Sequence, residues 1–194
     1  TYGRWQREWP LPPELRLPAS KSQGPRSNFT LEGMALSEDG ATLWLAMEAA
    51  LRQDGPLPAA DHLGGPVRIT TYDMGTRQPV RQLAYQPDAL PAGLWLQRGA
   101  INGISAVLAD GPEHLLVLER SFAPPLRFGA RIYRISTRAD ASSDTLGQTR
   151  LVPGSYRPAD KELLLDLADA GLRSVDNLEG MSWGPVSYTH LTLP

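Results

Sequence analysis

A short motif that occurs twice constrains the fold of this chain more than any other feature. Leu-Glu-Gly-Met stands at residues 31–34 and again at residues 178–181. A weaker copy, Asn-Gly-Ile-Ser, stands between them at residues 102–105. Such internal similarity predicts a fold that is built from like units, each packed against the next.

The residues that follow the first two copies also match. Glu48 lies 15 residues after Gly33, and Glu119 lies 16 residues after Gly103, each at the end of an apolar run. Between each motif and its apolar run stands an Asp-Gly pair, which predicts a tight hairpin because Gly adopts positive φ without steric cost. We therefore expect the two glycines, and likewise the two glutamates, to occupy equivalent positions.

Each unit is predicted to contain four strands in succession. After the motif strand, the predicted strands are residues 42–48, 67–73 and 83–85 in the first unit, and residues 114–120, 130–135 and 162–167 in the second. For the last segment, a short helix over residues 160–170 is the alternative. The strands after the hairpins are apolar on both faces, which indicates that both faces are covered.

These features predict an all-β fold, namely a partial β-propeller. A four-stranded sheet that lies between like sheets is covered on both faces, as a propeller blade is. The chain would supply about two complete blades and parts of two more. The 18 Gly and 18 Pro residues favour β structure because they supply turns. The alternative is an ordinary β-sandwich in which the motif match is coincidental.

Composition excludes several classes of function. The chain has no Cys, which excludes disulfides, zinc–thiolate sites, Fe–S clusters and thiol catalysis. Its three His residues show no metal-ligand spacing, and no nucleophile-elbow motif is present. The formal net charge of −2 provides no electrostatic footprint for nucleic acid or for an anionic membrane surface. No apolar stretch approaches the roughly 18 residues of a transmembrane helix.

Carboxylates at matching places of the repeat form a candidate metal site. Glu32 and Glu179 open equivalent predicted strands, and Asp176 comes shortly before the last motif. Equivalent positions of successive propeller blades approach one another around the central channel. Several carboxylate oxygens that converge there would suit Ca²⁺, which binds six to eight oxygen ligands in irregular geometry.

A basic residue close to these carboxylates would complete a site for a phosphate group. Arg120 follows Glu119 directly, and either Arg120 or Lys161 would hold a phosphate oxygen. A structural interpretation is equally open. A Glu at a strand start can bond to the backbone of the next unit, and Arg120 can form an ion pair between two blades.

Three groups of residues resemble the phytase-like domain family, which is described by an esterase-like activity of phytase. They are residues 28–40 with 43–48, residues 102–105 with 116–121, and residues 161–167 with 176–181. The resemblance spans residues 28–185. Residues 1–27 are interpreted as an incomplete preceding blade and a linker, and residues 186–194 as a non-matching, artefactual tail. Since the family continues with further blades, we expect the chain to be a fragment.

The resemblance implies a β-propeller that hydrolyses small phosphorylated or ester substrates with calcium, exported to the periplasm or the cell surface. On this basis Glu119 and Arg120 are candidate catalytic residues, and Glu32, Asp176 and Glu179 are candidate calcium ligands. The full-length protein is expected to be a monomer. Two other functions remain open. One is a non-catalytic extracytoplasmic propeller that binds a small ligand or a partner protein, and the other is a calcium-dependent hydrolase like the propeller lactonases.

Overall fold

The protein, in a computed structural model that describes residues 3–16, 22–59, 61–90, 99–125, 127–171 and 175–184, forms two antiparallel sheets. The first sheet contains β1 (Leu31–Leu36), β2 (Thr42–Met47), β3 (Val67–Asp73) and β4 (Gln78–Tyr85). The second contains β5 (Ile101–Ala109), β6 (His114–Ala123), β7 (Arg127–Ser136) and β8 (Lys161–Asp166). In both sheets the strands are neighbours in chain order. A 3-10 turn, Pro13–Leu15, precedes them.

This architecture confirms the prediction of an all-β chain with four strands in each unit. The segment predicted at residues 162–167 is a strand, β8, so the helix alternative over residues 160–170 is wrong. Within the described ranges neither sheet closes on itself, and the propeller remains a prediction. These ranges also contain no helix that is long and apolar enough to cross a membrane. The predicted tail at residues 186–194 lies outside them.

The hairpins at the start of the two sheets define how the units align. The pair next to the turn is Leu36–Leu43 in the first sheet and Ala109–Leu115 in the second. Counting from these pairs, β1 aligns with β5 at a shift of 73 residues and β2 with β6 at a shift of 72. The first turn is therefore one residue longer than the second.

A β-bulge at the same place in both hairpins supports this alignment. The pairing skips Glu32 in β1 and Ser105 in β5, each four positions before the last pair. On the same alignment Glu48 is equivalent to Arg120, so its predicted equivalence with Glu119 is wrong by one residue. Spacing from the glycines misses the extra turn residue, whereas the ladder register counts it.

The two sheets come into close contact where β1 and the end of β2 lie against β5. A Cβ atom at Gly33 would lie 3.2 Å from the Val107 backbone, and one at Gly103 would lie 2.6 Å from the carbonyl oxygen of Glu48. That carbonyl accepts a hydrogen bond of 2.9 Å from the Ile104 N–H. Both glycines are thus required by close approach, although in the aligned units they lie three residues apart and are not equivalent.

The segment 175–184 lies against the second sheet. Leu178 and Met181 pack on a buried cluster of Ala106, Leu118 and Ala130. The indole N–H of Trp183 donates a hydrogen bond of 2.8 Å to the carbonyl oxygen of Ala109. In the alignment Ala106 corresponds to Gly33, the residue by which the first sheet contacts the second. The third copy of the motif therefore repeats this contact one unit further along the chain.

A buried arginine attaches the loops to the outer strands of the first sheet. Arg68 on β3 is fully buried and donates two hydrogen bonds of 2.7 and 2.9 Å to the Asp54 carboxylate. Its Nη1 donates to Gln82 on β4 at 2.8 Å and lies 3.4 Å from Glu14 of the 3-10 turn. Asp54 also accepts a hydrogen bond of 2.8 Å from the Leu151 N–H. Buried charges of this kind need such complete pairing.

The close approach at Gly103 leads to a prediction about stability. Gly103→Ala places a methyl group against the Glu48 carbonyl and must push the sheets apart, so we expect a loss of about 1–3 kcal/mol in the free energy of unfolding. Gly184→Ala is the control, because a Cβ there meets nothing within 4 Å. Urea denaturation of both variants measures the difference. Equal stability of the two variants would show that the sheets are not in tight contact at this point.

Candidate functional site

Strand β6 divides the candidate residues between two clusters. Neighbouring residues on a strand point to opposite faces, so Glu119 and Arg120 face different surroundings. We call the group around Arg120 the Glu48 cluster; it consists of Glu32, Glu48, Arg120, Asn177 and Glu179. We call the group around Glu119 the Lys161 cluster; it consists of Tyr85, Asp88, Asn102, Glu119, Tyr133 and Lys161.

In the Glu48 cluster, the Arg120 guanidinium lies among acidic and amide side chains from two other parts of the chain. Its Nη2 donates a hydrogen bond of 3.1 Å to Glu48 Oε1, at the end of the first hairpin. Its Nη1 donates to Asn177 Oδ1 and lies 3.8 Å from Glu179 Oε1. The Asn177 amide also donates a hydrogen bond of 2.6 Å to Glu179 Oε1. Arg120 therefore links the first sheet to the segment 175–184.

The position of Glu48 follows from the repeat. Glu48 and Arg120 are equivalent residues of adjacent units, and they meet because the sheets are in contact there. Glu48 is only 4% exposed. Burial raises the pKa of its carboxyl to about 7, and repulsion by Glu32 and Glu179 adds to this, whereas the positive charge of Arg120 acts in the opposite direction. The Glu48 carboxyl is thus able to gain or lose a proton near neutral pH.

The structure brings together three of the five residues predicted from the sequence. Glu32, Arg120 and Glu179 belong to the Glu48 cluster. The Asp176 carboxylate instead accepts a hydrogen bond of 2.7 Å from the backbone N–H of the next residue. Glu119 lies in the Lys161 cluster. The metal and catalytic roles of all five remain predictions.

Sequence reasoning did not assign a role to Glu48 or Asn177. Glu48 was recognised only as a carboxylate at the end of a strand. Alignment of the units by their hairpin turns, instead of by their glycines, would have placed it opposite Arg120. Asn177 stands immediately before the last Leu-Glu-Gly-Met motif, and that position was its one available signal.

The donor atoms of the Glu48 cluster suit calcium in their chemistry. Glu32, Glu48 and Glu179 supply carboxylate oxygens, the ligands that Ca²⁺ prefers. One arginine faces these three carboxylates, so negative charge is in excess when all are ionised. In the described part of the chain, however, no three His, Cys, Asp or Glu side chains are grouped as ligands of one metal ion. Here Arg120 supplies the positive charge that Glu48 and Glu179 contact.

In the Lys161 cluster, each carboxylate oxygen of Glu119 accepts hydrogen bonds. Oε1 accepts from Lys161 Nζ at 2.9 Å and from the Tyr85 hydroxyl at 2.5 Å. Oε2 accepts from the Asn102 amide at 2.7 Å and from the Asp88 backbone N–H at 3.1 Å. Glu119 is 2% exposed. This set of donors compensates for its desolvation.

The ammonium group of Lys161 is held by a second carboxylate and two aromatic rings. Asp88 Oδ1 accepts a hydrogen bond of 2.6 Å from Lys161 Nζ, and Asp88 Oδ2 accepts one from the Tyr133 hydroxyl. Nζ lies 4.2 Å from the Tyr133 ring centroid and 5.1 Å from that of Tyr85. Burial pushes the pKa of Asp88 upwards, but the hydrogen bonds from Lys161 and Tyr133 outweigh it and hold that pKa below its ordinary value. Lys161 is therefore committed to partners within the fold.

The shifted pKa of Glu48 leads to a prediction of pH dependence. Because the pKa is raised from its ordinary 4.5 to about 7, the folded chain holds this proton more tightly than the unfolded chain. The resulting stabilisation is complete below about pH 4.5 and is lost as the pH rises to about 7, by on the order of 1–3 kcal/mol after solvent screening. Urea denaturation between pH 5 and 8 should show less of this decline for Glu48→Gln than for the wild type.

The exposed hairpin residue Glu38 provides the control for this experiment. Glu38→Gln removes the same charge outside the cluster, so it should keep the slope of the wild type. If Glu48→Gln and the wild type lose stability equally over this range, the proton is not taken up by Glu48.

The buried position of Glu119 leads to a prediction about its structural role. Glu119→Gln removes the charge that Lys161 contacts and turns an acceptor of the network into a donor, so we expect a loss of about 1–3 kcal/mol in the free energy of unfolding. Glu162→Gln, on an exposed position of β8, should leave the stability unchanged. Thermal unfolding of both variants at pH 7 provides the measurement. A Glu119→Gln variant as stable as the control would argue against the network.

Comparison with known proteins identifies a family over nearly the whole chain. The family model named Phytase-like, described as "Esterase-like activity of phytase", matches residues 1–193. Neither the curated proteins nor the solved structures include a match. The family match suggests a phosphoesterase-like function. It confirms the resemblance seen in the repeated motifs, and the chain belongs to the phytase-like family.

Proposed function

We propose that this protein hydrolyses phosphate esters at the Glu48 cluster with the help of a calcium ion. One observation carries the proposal: a buried carboxyl, Glu48, has a pKa near neutrality and contacts Arg120 at the junction of two units. Perturbed carboxyls beside a fixed positive charge are typical of functional sites. The family match supports the choice of phosphate esters as the substrate class.

Arg120 and Glu48 would divide the chemistry between them. The guanidinium of Arg120 is suited to hold phosphate oxygens because it donates several hydrogen bonds in one plane. Glu48 is partly protonated at neutral pH, which is the condition for a group that gives or takes a proton during hydrolysis. The catalytic role predicted for Glu119 stays a second-rank proposal, since its oxygens are engaged within the fold.

Glu32, Glu48 and Glu179 are the residues that would hold calcium. A bound cation would relieve their mutual repulsion, which already raises the pKa of Glu48. When bound, calcium supplies a Lewis acid that draws phosphate oxygens in and lowers the pKa of a bound water. Asp176 is proposed as a further ligand on the strength of its place before the last motif alone.

The proposed setting is a β-propeller in an exported protein. The two sheets and the segment 175–184 follow one another by the same contact, as successive blades would. Equivalent residues, Glu48 and Arg120, meet at the junction, as expected for residues near a common axis. Export to the periplasm or cell surface, and a monomeric full-length protein, complete the proposal.

A non-catalytic propeller that binds a small ligand or a partner protein is the second candidate. The observation that favours it is the Arg120–Glu48 ion pair, which joins two sheets and is largely buried on both sides. An ion pair in this position can serve the assembly of units without taking part in chemistry.

Calcium binding and turnover test the first proposal. Calcium is titrated into the protein by calorimetry, and phosphate release from p-nitrophenyl phosphate is followed with and without calcium. We expect Glu32→Gln and Glu179→Gln to weaken calcium binding and to lower kcat/KM by roughly tenfold or more, since each removes a charge that acts on the reacting group. Glu38→Gln, the same change on an exposed hairpin residue, should match the wild type.

Two outcomes would overturn the metal-dependent hydrolase. One is a wild-type protein that neither binds calcium nor releases phosphate faster with it. The other is unchanged turnover in both cluster variants. Either outcome, together with retained binding of a small ligand at the cluster, would make the non-catalytic propeller the better description.

A further inference from the structure

Two buried polar atoms of the second sheet have no hydrogen-bond partner among the described residues. They are Ser105 Oγ on β5 and Arg120 Nε on β6. Ser105 is 2% exposed, so its hydroxyl has no access to solvent. Leaving a buried polar group unpaired costs about 1–3 kcal/mol, and such a group calls for an explanation. A third buried nitrogen, Arg134 Nε, differs because it lies 2.8 Å from the Asp110 carboxylate.

Ser105 occupies the position of the repeat that carries a site residue in the other units. It is the bulge residue of β5, as Glu32 is the bulge residue of β1. The Leu-Glu-Gly-Met motif places Glu179 at the same position in the third copy. Successive units thus present Glu, Ser and Glu at one place. A bulge re-aims the side chain of its extra residue and often lies next to an active site.

The register brings Ser105 next to Arg120. Arg120 pairs with Gly103, and the pairing skips Ser105 two residues further along β5. Glu32 and Glu48 have the same relation in the first sheet, where the charge of Glu32 raises the pKa of Glu48. By this equivalence Ser105 and Arg120 form the corresponding pair of the second sheet.

The chemistry of the two atoms selects the kind of group they would bind. The Nε–H of arginine can only donate, and a serine hydroxyl can donate at the same time. Two donors beside a guanidinium charge suit an anionic oxygen. The exposed side chains of Asn177 and Glu179 contact Arg120 from the segment 175–184, and this rim is where an anion would enter.

We propose that Ser105 Oγ and Arg120 Nε bind one oxygen of the phosphate group of the substrate. The inference rests on the proposed function for its substrate class and adds a binding residue to the same site. Ser105 acts here as a hydrogen-bond donor and not as a nucleophile. The serine so placed lowers the free energy of the bound anion, and its loss should raise KM more than it lowers kcat.

Binding of inorganic phosphate to the full chain tests the proposal. Calorimetry on Ser105→Ala should show phosphate binding about tenfold weaker than in the wild type, and calcium binding unchanged. Ser105→Thr keeps the hydroxyl and should retain most of the affinity. Ser121→Ala is the matched control: Ser121 is a buried serine beside Arg120, but its hydroxyl donates to the Gly129 carbonyl at 3.4 Å. Ser105→Cys replaces the alanine variant if the latter does not fold.

The outcomes separate this inference from the proposed function. Phosphate binding that depends on Ser105 in a protein without turnover supports the binding role and overturns hydrolysis. Turnover in the wild type, with KM and phosphate affinity unchanged in Ser105→Ala, overturns the role of Ser105 and leaves hydrolysis standing. A wild type that binds no phosphate overturns the inference, as does equal weakening by Ser105→Ala and Ser121→Ala.

Discussion

The backbone contact between Glu48 and β5 sets the distance between the two sheets, and the candidate site depends on it. The Glu48 carbonyl accepts a hydrogen bond of 2.9 Å from Ile104, and a Cβ at Gly103 would lie 2.6 Å from the same oxygen. A backbone hydrogen bond tolerates little variation in distance. The side chains that leave the two sheets at this point are therefore held together, and this is why Glu48 and Arg120 meet at 3.1 Å.

The three polar networks of the protein differ in how well they are satisfied. The carboxylates around Arg68 and Lys161 receive hydrogen bonds from several donors, and both networks join separate segments of the chain. The Glu48 cluster contains carboxylates that repel one another, a carboxyl with a pKa of about 7, and an unpaired guanidinium nitrogen. A site that must accept a charged ligand has to keep such unmet demand, because a fully paired network offers a ligand nothing to gain.

Much of the fold could be predicted from the sequence, because its signals are local. The Asp-Gly turns and the apolar runs located the hairpins, and the motif brought Glu32 and Glu179 to one site. The rest depends on features that spacing cannot reveal. One additional turn residue moved the alignment, so that Arg120, and not Glu119, is equivalent to Glu48. Asp88 has no motif of its own, since only the folded chain brings it to Lys161.

Opposite charges at equivalent repeat positions give the junction between the sheets a direction. Glu48 of the first unit needs a cation from the unit that follows, and Arg120 of the second supplies it. If a copy of the first unit docked in place of the second, two carboxylates would be buried face to face. Such a charge pattern disfavours wrong partners more than it stabilises the right one. The like units of this chain therefore carry a record of their order, which opposes register errors during folding and the exchange of units between molecules.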